Sequence, residues 1–422
     1  MNKLFLLVFT FAVAVPSVEA GSGGQAEDTR DFAVKFEMKN RPSVSVGNWL
    51  NADFKMKIQA DLRAFSDGID ADEGLFNMRR LRSGFEGRIK DDLEFEVEYE
   101  LRPVDHWLRD AFVNFRRFRK FQIKAGKFKI PFGLDQLTSA MNLDFVYRSL
   151  IGRQLASARD VGVTLHGQVF EGLRYEAGVF NHDGENADSQ RITPTGRRTL
   201  AGRITGSPAA FIPAPSWLKE LEVGAAFTHG EAVEGATSLK GRSVVGKDFF
   251  PPVNVSGLRQ RRGVELNWQL GPLSLKSEYM TVREQRKGQG LLQNDLPDLF
   301  GRGWYAGGTL ALFDRLKDSS RVGLLRRLLP GETAGRLELA ARYEQLRFGS
   351  EASDARPSRS PRAANVLGNS DRALTLGATW YANRFTKFQF NAIRETLEDP
   401  ARTPVPGVQR YWMFVGRTQF SF

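Results

Sequence analysis

The chain has 422 residues, 60 Lys and Arg against 49 Asp and Glu, a net charge of +11 and no cysteine. Without Cys there is no disulfide framework and no thiol chemistry. The length exceeds one ordinary domain of about 150 residues unless the chain closes into a barrel, which routinely runs longer. Met1-Asn2-Lys3 is followed by an apolar run from Leu4 to Val15, then Val18-Glu19-Ala20 before Gly21. A charged start, a short apolar core and small residues at the end predict a secretory signal peptide over 1–20, followed by an N-terminal periplasmic segment over 21–51. The apolar run is shorter than the roughly 20 residues a helix needs to cross a bilayer, and charged residues interrupt every later apolar stretch.

From residue 52 onward the pattern has a period of two. Phe54, Met56, Ile58, Ala60 and Leu62 alternate with Lys55, Lys57, Gln59, Asp61 and Arg63. Leu93-Glu94-Phe95-Glu96-Val97-Glu98-Tyr99-Glu100-Leu101 puts five apolar residues on one face and four glutamates on the other, the period of a strand and not of a helix. Strands are predicted near 52–64, 76–90, 92–102, 107–118, 120–128, 159–170, 172–182 and 197–207, then 217–230, 257–270, 272–286, 301–313, 335–348, 371–382, 385–397 and 408–422. Tight turns such as Lys90-Asp91-Asp92, Glu171-Gly172 and Leu270-Gly271-Pro272 alternate with long connections at 129–158, 183–196, 231–256, 287–300 and 349–370. Short turns on one rim and long loops on the other are the habit of outer-membrane barrels. An open sheet of this size would leave an unpaired edge that lipid does not tolerate. The expected fold is therefore all-β: a sixteen-stranded antiparallel transmembrane β-barrel over 52–422, enclosing an aqueous channel. The connections 208–216 and 314–334 depart from the short-rim rule, and Arg326-Arg327-Leu328-Leu329-Pro330 in the second suggests a small amphipathic helix or a solvated loop.

If the apolar face meets lipid, the alternate residues line water. The second strand then turns Arg80, Arg82, Glu86, Arg88 and Lys90 inward beside the glutamates 94–100, where opposite charges pair across strands. Lys55, Lys57, Arg63, Arg116, Lys124, Arg203, Arg342 and Arg417 share the inward parity and leave a basic excess. Like charge lining a constriction selects the opposite ion, so small anions are the expected permeants. Surplus surface basicity is expected to meet anionic headgroups of outer-membrane lipid. The net charge also suits nucleic-acid binding, but no nucleic-acid module appears among residues that alternate with lipid-type apolar ones. The thirty-residue connection from Gly126-Lys127-Phe128-Lys129 through Phe132-Gly133-Leu134-Asp135-Gln136 to Arg148 is too long and too apolar for an idle loop. It is expected to fold into the barrel and narrow it. The four histidines, His106, His166, His182 and His229, have no ligand spacing, and Gly-x-Ser-x-Gly and phosphate-binding glycine loops are absent. No metal, cofactor or catalytic residue is expected. The acidic stretch 181–188 lacks the spacing of a calcium loop.

Lys57-Ile58-Gln59-Ala60-Asp61, Arg79-Arg80-Leu81-Arg82, Gly126-Lys127-Phe128 leading to Phe132-Gly133-Leu134-Asp135 and Thr138-Ser139, Arg148-Ser149-Leu150, Leu337-Glu338-Leu339-Ala340-Ala341-Arg342-Tyr343, Trp380-Tyr381-Ala382-Asn383 and the terminal Phe422 occur in that order. Together they resemble the phosphate-selective porin O and P family. That resemblance implies a sixteen-stranded barrel, commonly a homotrimer, whose third long loop forms the constriction and whose arginine ladder guides the anion. Arg79 and Arg80 match the ladder's paired arginines, and Lys57 stands where an arginine would be. Two lysines of the family's central phosphate site align with Gln136 and Met141, which carry no charge. Arg109 replaces an acidic position, and Lys127, Lys129 and Arg148 are the candidates to compensate. The expected pathway residues are Lys57, Arg79, Arg80, Arg82, Arg88 and Lys124, with Lys127, Lys129, Gln136, Met141 and Arg148 in the constriction loop. The leading expectation is a passive outer-membrane porin with anion preference, phosphate included or not. The alternatives are a plugged barrel acting as adhesin or scaffold, and a barrel hydrolase, for which the sequence displays no nucleophile–base pair.

Overall fold

A computed structural model describes residues 34–38, 41–66, 69, 75–104, 107–184, 198–211, 213, 215–236, 239–314, 335–352, 356–403 and 407–422. The expected signal peptide, residues 185–196 and nearly all of the 314–334 connection lie outside the described residues. In chain order the strands are β1 (Val34–Met38), β2 (Pro42–Val46), β3 (Leu50–Phe65), β4 (Phe76–Ile89), β5 (Leu93–Glu100), β6 (Leu108–Phe118), β7 (Phe121–Lys129), β8 (Arg159–Phe170), β9 (Leu173–Phe180), β10 (Thr199–Gly206) and β11 (Leu221–Ala236). They continue with β12 (Gly241–Arg242), β13 (Asp248–Phe250), β14 (Asn254–Leu270), β15 (Leu273–Arg286), β16 (Leu296–Asp314), β17 (Arg336–Ser350), β18 (Asn369–Tyr381), β19 (Thr386–Leu397) and β20 (Arg410–Ser421). Among the described residues there are also three short helices, α1 (Leu134–Leu137), α2 (Leu150–Gln154) and α3 (Ser216–Lys219), and two 3₁₀ turns.

Strands β3–β11 and β14–β20 pair antiparallel, each with the next, and β20 returns to β3 with Arg417 opposite Asp61 and Phe420 opposite Ile58. Phe422 and Met56 exchange backbone hydrogen bonds of 3.1 Å, so the last residue of the chain helps to close the ring. The sixteen expected strands are all present, with ends moved by a few residues. The tight turns need special backbone: Gly172 and Gly271 adopt φ of 89° and 58°, values that glycine reaches without a Cβ clash.

The wall is apolar outside and polar inside, the reverse of a soluble domain. Outward residues such as Phe85, Val264 and Phe390 are 51%, 55% and 51% exposed, whereas inward Gln59, Asp61, Arg63, Glu98, Glu284 and Arg417 are buried. The alternation of the sequence is thus an alternation of solvents, lipid and lumen. Before the barrel, β1 and β2 form a hairpin, and β2 pairs with residues 50–53 of β3, continuing the edge that β20 occupies over 57–65. This hairpin falls within the 21–51 stretch expected to be an N-terminal periplasmic segment.

Candidate functional site

Two irregularities in the wall shape the basic site. Gln59 pairs with Arg80 but Ala60 pairs with Met78, so Arg79 is an extra residue in β4. Likewise Glu98 pairs with Asp110 and Tyr99 with Leu108, so Arg109 is extra in β6. A bulge re-aims side chains that strict alternation would point outward. Adjacent Arg79 and Arg80, and adjacent Arg109 and Asp110, consequently line one cavity.

That cavity, of about 820 Å³, is bounded by β3–β9, by the connection 130–158 and by residues 240–246. Fourteen Lys and Arg line it, against four Asp and Glu. Lys57, Arg79, Arg80, Arg82, Lys124, Lys129, Gln136 and Arg148 are among the lining residues. Arg88 lies apart, in a second cavity of about 640 Å³ at the short-turn rim, beside Glu86, Asp91 and Glu94. Lys127 is buried, in register with Ala111 and Val161, and does not line the basic cavity. Met141 is buried and contributes its carbonyl, which accepts from Lys387 Nζ at 2.8 Å and Gln419 Nε2 at 3.1 Å. The Gln136 amide donates to the Ser157 carbonyl at 3.3 Å. The reading of the sequence missed Arg153 and Arg159, whose loop and strand-end positions carry no parity signal.

The acids of this cavity are taken. Glu98 receives Lys57 and Arg82, the latter at 3.1 Å; Glu96 receives Lys55 at 2.6 Å, Asp110 receives Arg159 at 2.8 Å, and Glu176 receives Arg203 at 2.9 Å. Among the lining cations with no acidic partner in the described residues are Lys124, over the Phe112 ring at 4.2 Å, and Arg80, Arg148, Lys129, Arg153 and Arg109. Arg80 donates to the Gln59 side chain. Arg148 donates to the Thr138 carbonyl at 2.6 Å. Lys129 caps the end of α1 through the carbonyls of Gln136, Leu137 and Thr138 at 2.8, 3.0 and 3.1 Å. Arg153 lies over the Tyr147 ring at 5.9 Å, and Arg109 leaves its buried Nε unpaired. Burial lowers the Arg148 guanidinium below its ordinary value, and the neighbouring Arg159 and Arg82 add to the shift against the opposing charge of Asp135.

The connection 130–158 is tied to strands on the far side of the ring. Glu278 of β15 accepts from the backbone N–H of Leu134 at 2.6 Å and Asp135 at 2.9 Å, at the start of α1. Glu344 of β17 accepts from the N–H of Leu150, and Asn391 of β19 from that of Val146 at 2.7 Å. Arg417 of β20 donates to the Val146 carbonyl at 2.7 Å, Arg342 of β17 to the Tyr147 carbonyl at 3.1 Å, and Gln59 of β3 to the Ala140 carbonyl at 3.2 Å. Loop backbone that leaves the wall at β7 thus has its polar groups satisfied by wall side chains.

A family model, phosphate-selective porin O and P, matches residues 50–422. The chain belongs to that family. No curated protein sequence matches it. Among solved structures, a loop-deletion mutant of the outer-membrane protein OmpT of Vibrio cholerae is similar in fold, with 11% identity, a TM-score of 0.57 and coverage of 88% of this chain and 99% of that one. An anion-selective porin from Comamonas acidovorans is similar at 13% identity and a TM-score of 0.55, over 88% and 100% of the two chains. OprB of Pseudomonas putida is similar at 11% identity and a TM-score of 0.52, over 88% and 94%. Family and architecture together make this porin O and P member an outer-membrane porin of the bacterial envelope.

Proposed function

We propose that the protein is a passive diffusion pore with anion preference, exported through the 1–20 signal peptide and working as a homotrimer. Loop 130–158, crossing to β15, β17, β19 and β20, folds into the lumen and confines the permeant to the basic side of the barrel. One observation carries this reading: fourteen Lys and Arg line the cavity, and Arg80, Arg109, Lys129, Arg148 and Arg153 there lack acidic partners among the described residues. Unpaired cations in a low-dielectric wall lower the energy of an anion and raise that of a cation. Lys57, Arg79, Arg82 and Lys124 extend the basic path, and Arg88 lies at the periplasmic mouth. Passage through such a pore needs no catalytic step and no cofactor. Gln136 and Met141 supply no charge, so phosphate is one permeant among small anions and not a tightly held one.

The test is the reversal potential of the protein in a planar bilayer under a KCl gradient. A chloride-favouring potential that moves toward zero in Arg80→Ala and Arg148→Ala is expected; a potassium-favouring one overturns the reading. Phosphate added at millimolar concentration is expected to leave most of the chloride current intact. The plugged-barrel reading draws on a different observation, the apolar packing of Val245, Phe249, Phe250 and Phe348 with Leu150 and Ile151. Folded protein that inserts without any conductance would favour it.

A further inference from the structure

The outer face of the barrel carries a second basic array, unconnected with the lumen. On six consecutive strands, β14–β19, one outward position near the long-loop rim is arginine: Arg262, Arg283, Arg302, Arg347, Arg372 and Arg394. The first five are exposed. The register puts them on one line. Arg262 opposes Thr281, Thr281 opposes Arg302, and Arg302 opposes Arg347. Arg372 opposes Gln345, two residues from Arg347, and Arg394 opposes Leu374, two residues from Arg372.

Only Arg283 is neutralised by acids, Asp298 at 2.7 Å and Glu351 at 2.9 Å; the other five have no acidic partner among the described residues. Like charges directly across two strands destabilise a sheet; among the described residues Arg302 faces Arg347 with no acid between them, and only the Phe300 ring, 5.3 Å from the Arg302 guanidinium, offsets its charge. Such an arrangement is stable when an anion bridges the pair. Next to this line, on the same outer face, is a cavity of about 430 Å³ lined by Arg262, Arg283 and Arg302, with one acid, Glu351, and the rings of Tyr279 and Phe300.

Depth identifies the anion. Trp304 stands two residues inboard of Arg302, and Tyr279 and Tyr343 stand four residues inboard of Arg283 and Arg347; Tyr279 opposes Trp304, whose ring lies 5.7 Å from that of Tyr343. Aromatic rows mark the boundary between hydrocarbon and headgroups, and two to four residues along a strand advance about 7 to 14 Å, into the headgroup layer. The array covers only part of the circumference: near the same rim, β3–β5 and β8–β10 present Leu62, Phe76, Tyr99, Val161, Val179 and Leu200. The geometry points to a docking surface on β14–β19 for the phosphorylated headgroup of the outer-leaflet glycolipid, with the acyl chains against the aromatic row. It rests on the outer-membrane placement of the barrel and is independent of its ion preference.

The test measures binding of the purified full-length protein in detergent to lipid A bearing its phosphates, to the same lipid after removal of the phosphates, and to inorganic phosphate. Tight binding of the phosphorylated lipid alone is expected. In Arg302→Gln/Arg347→Gln/Arg372→Gln its affinity is expected to fall about a hundredfold, the sum of three surface arginines near an anionic lipid, while the reversal potential stays that of the wild type. Equal binding of the dephosphorylated lipid, full competition by millimolar inorganic phosphate, or undiminished affinity in the folded triple variant overturns the proposal. If the triple variant fails to fold, judged by heat-modifiable migration, the comparison of the two lipids on wild-type protein decides.

Discussion

Asp61→Ala should open the seam at which the two ends of the barrel meet. Arg417 of β20 and Asp61 of β3 face each other in register, with Nε–Oδ1 and Nη2–Oδ2 contacts of 2.6 and 2.7 Å, and both side chains are 1% exposed. The third guanidinium donor reaches the Val146 carbonyl, so the pair joins β3, β20 and loop 130–158. Removing the carboxylate deletes two charge-assisted hydrogen bonds and strands a buried cation. Breaking a buried pair in this way costs about 3–5 kcal/mol, whereas replacing both partners by apolar side chains is often neutral. The lumen admits water, which places the expected loss at the lower end, about 3 kcal/mol. Urea unfolding in lipid vesicles, followed by tryptophan fluorescence, measures it for Asp61→Ala, Arg417→Met and the double variant. The double variant should recover much of the single-variant loss, with an interaction energy of roughly 1–3 kcal/mol. A loss below about 1 kcal/mol for Asp61→Ala, or strictly additive effects, would show that the guanidinium is satisfied by solvent and that the seam does not depend on it.

Glu278→Ala withdraws the acceptor for two N–H groups at the start of α1 and for the Tyr305 hydroxyl at 2.8 Å; the expected result is a larger and noisier single-channel conductance, and an unchanged conductance would mean the loop is held by its other contacts. Asp183, in the loop after β9, is pushed up by burial, but Arg261 and Arg259 outweigh that and hold its carboxyl below the usual range. A depressed folded value adds stability that is complete above the unfolded value of about 3.9 and is lost as pH falls through the folded one. Asp183→Asn should therefore be less stable at pH 7 and flatter than the wild type below about pH 4; superimposable acid limbs would contradict this. Gly126 has φ of 128°, and a Cβ there would lie 2.2 Å from the Ala111 carbonyl oxygen, so Gly126→Ala should lower the folded fraction on heat-modifiable gels, and wild-type yield would show that the β6–β7 wall can relax.

The barrel was legible because lipid enforces alternation over whole strands. Leu93 to Leu101 could be read as a strand with its glutamates inward from nine residues, and those glutamates meet Lys55, Lys57, Arg82 and Arg116 as cross-strand logic requires. What went unread was short or local. Val34-Lys35-Phe36-Glu37-Met38 alternates as the barrel strands do, but five residues without a partner in view carry too little weight to set β1 apart as a strand within the 21–51 segment. The 239–253 loop packs Val245, Phe249 and Phe250 against Phe348, a contact between regions about a hundred residues apart that no local pattern announces.

The basic site shows why parity alone fails where it matters most. Counting from Met78, strict alternation sends Arg79 inward only if Arg80 goes out, and one of two adjacent charges must then face lipid, at a cost that rises from about 0–1 kcal/mol near the interface to about 2–4 kcal/mol at the midplane. The bulge between Gln59 and Ala60 removes that conflict by spending one residue of β4 without a partner. Arg109 beside Asp110 meets the same conflict and finds the same solution in β6. In these two strands an adjacent charged pair coincides with a bulge that gives the lumen a second charge, whereas Arg261-Arg262, Arg283-Glu284 and Asp371-Arg372 stay in register and send one side chain to the lumen and the other outward: among these pairs, alternation is broken only where both charges are drawn inward.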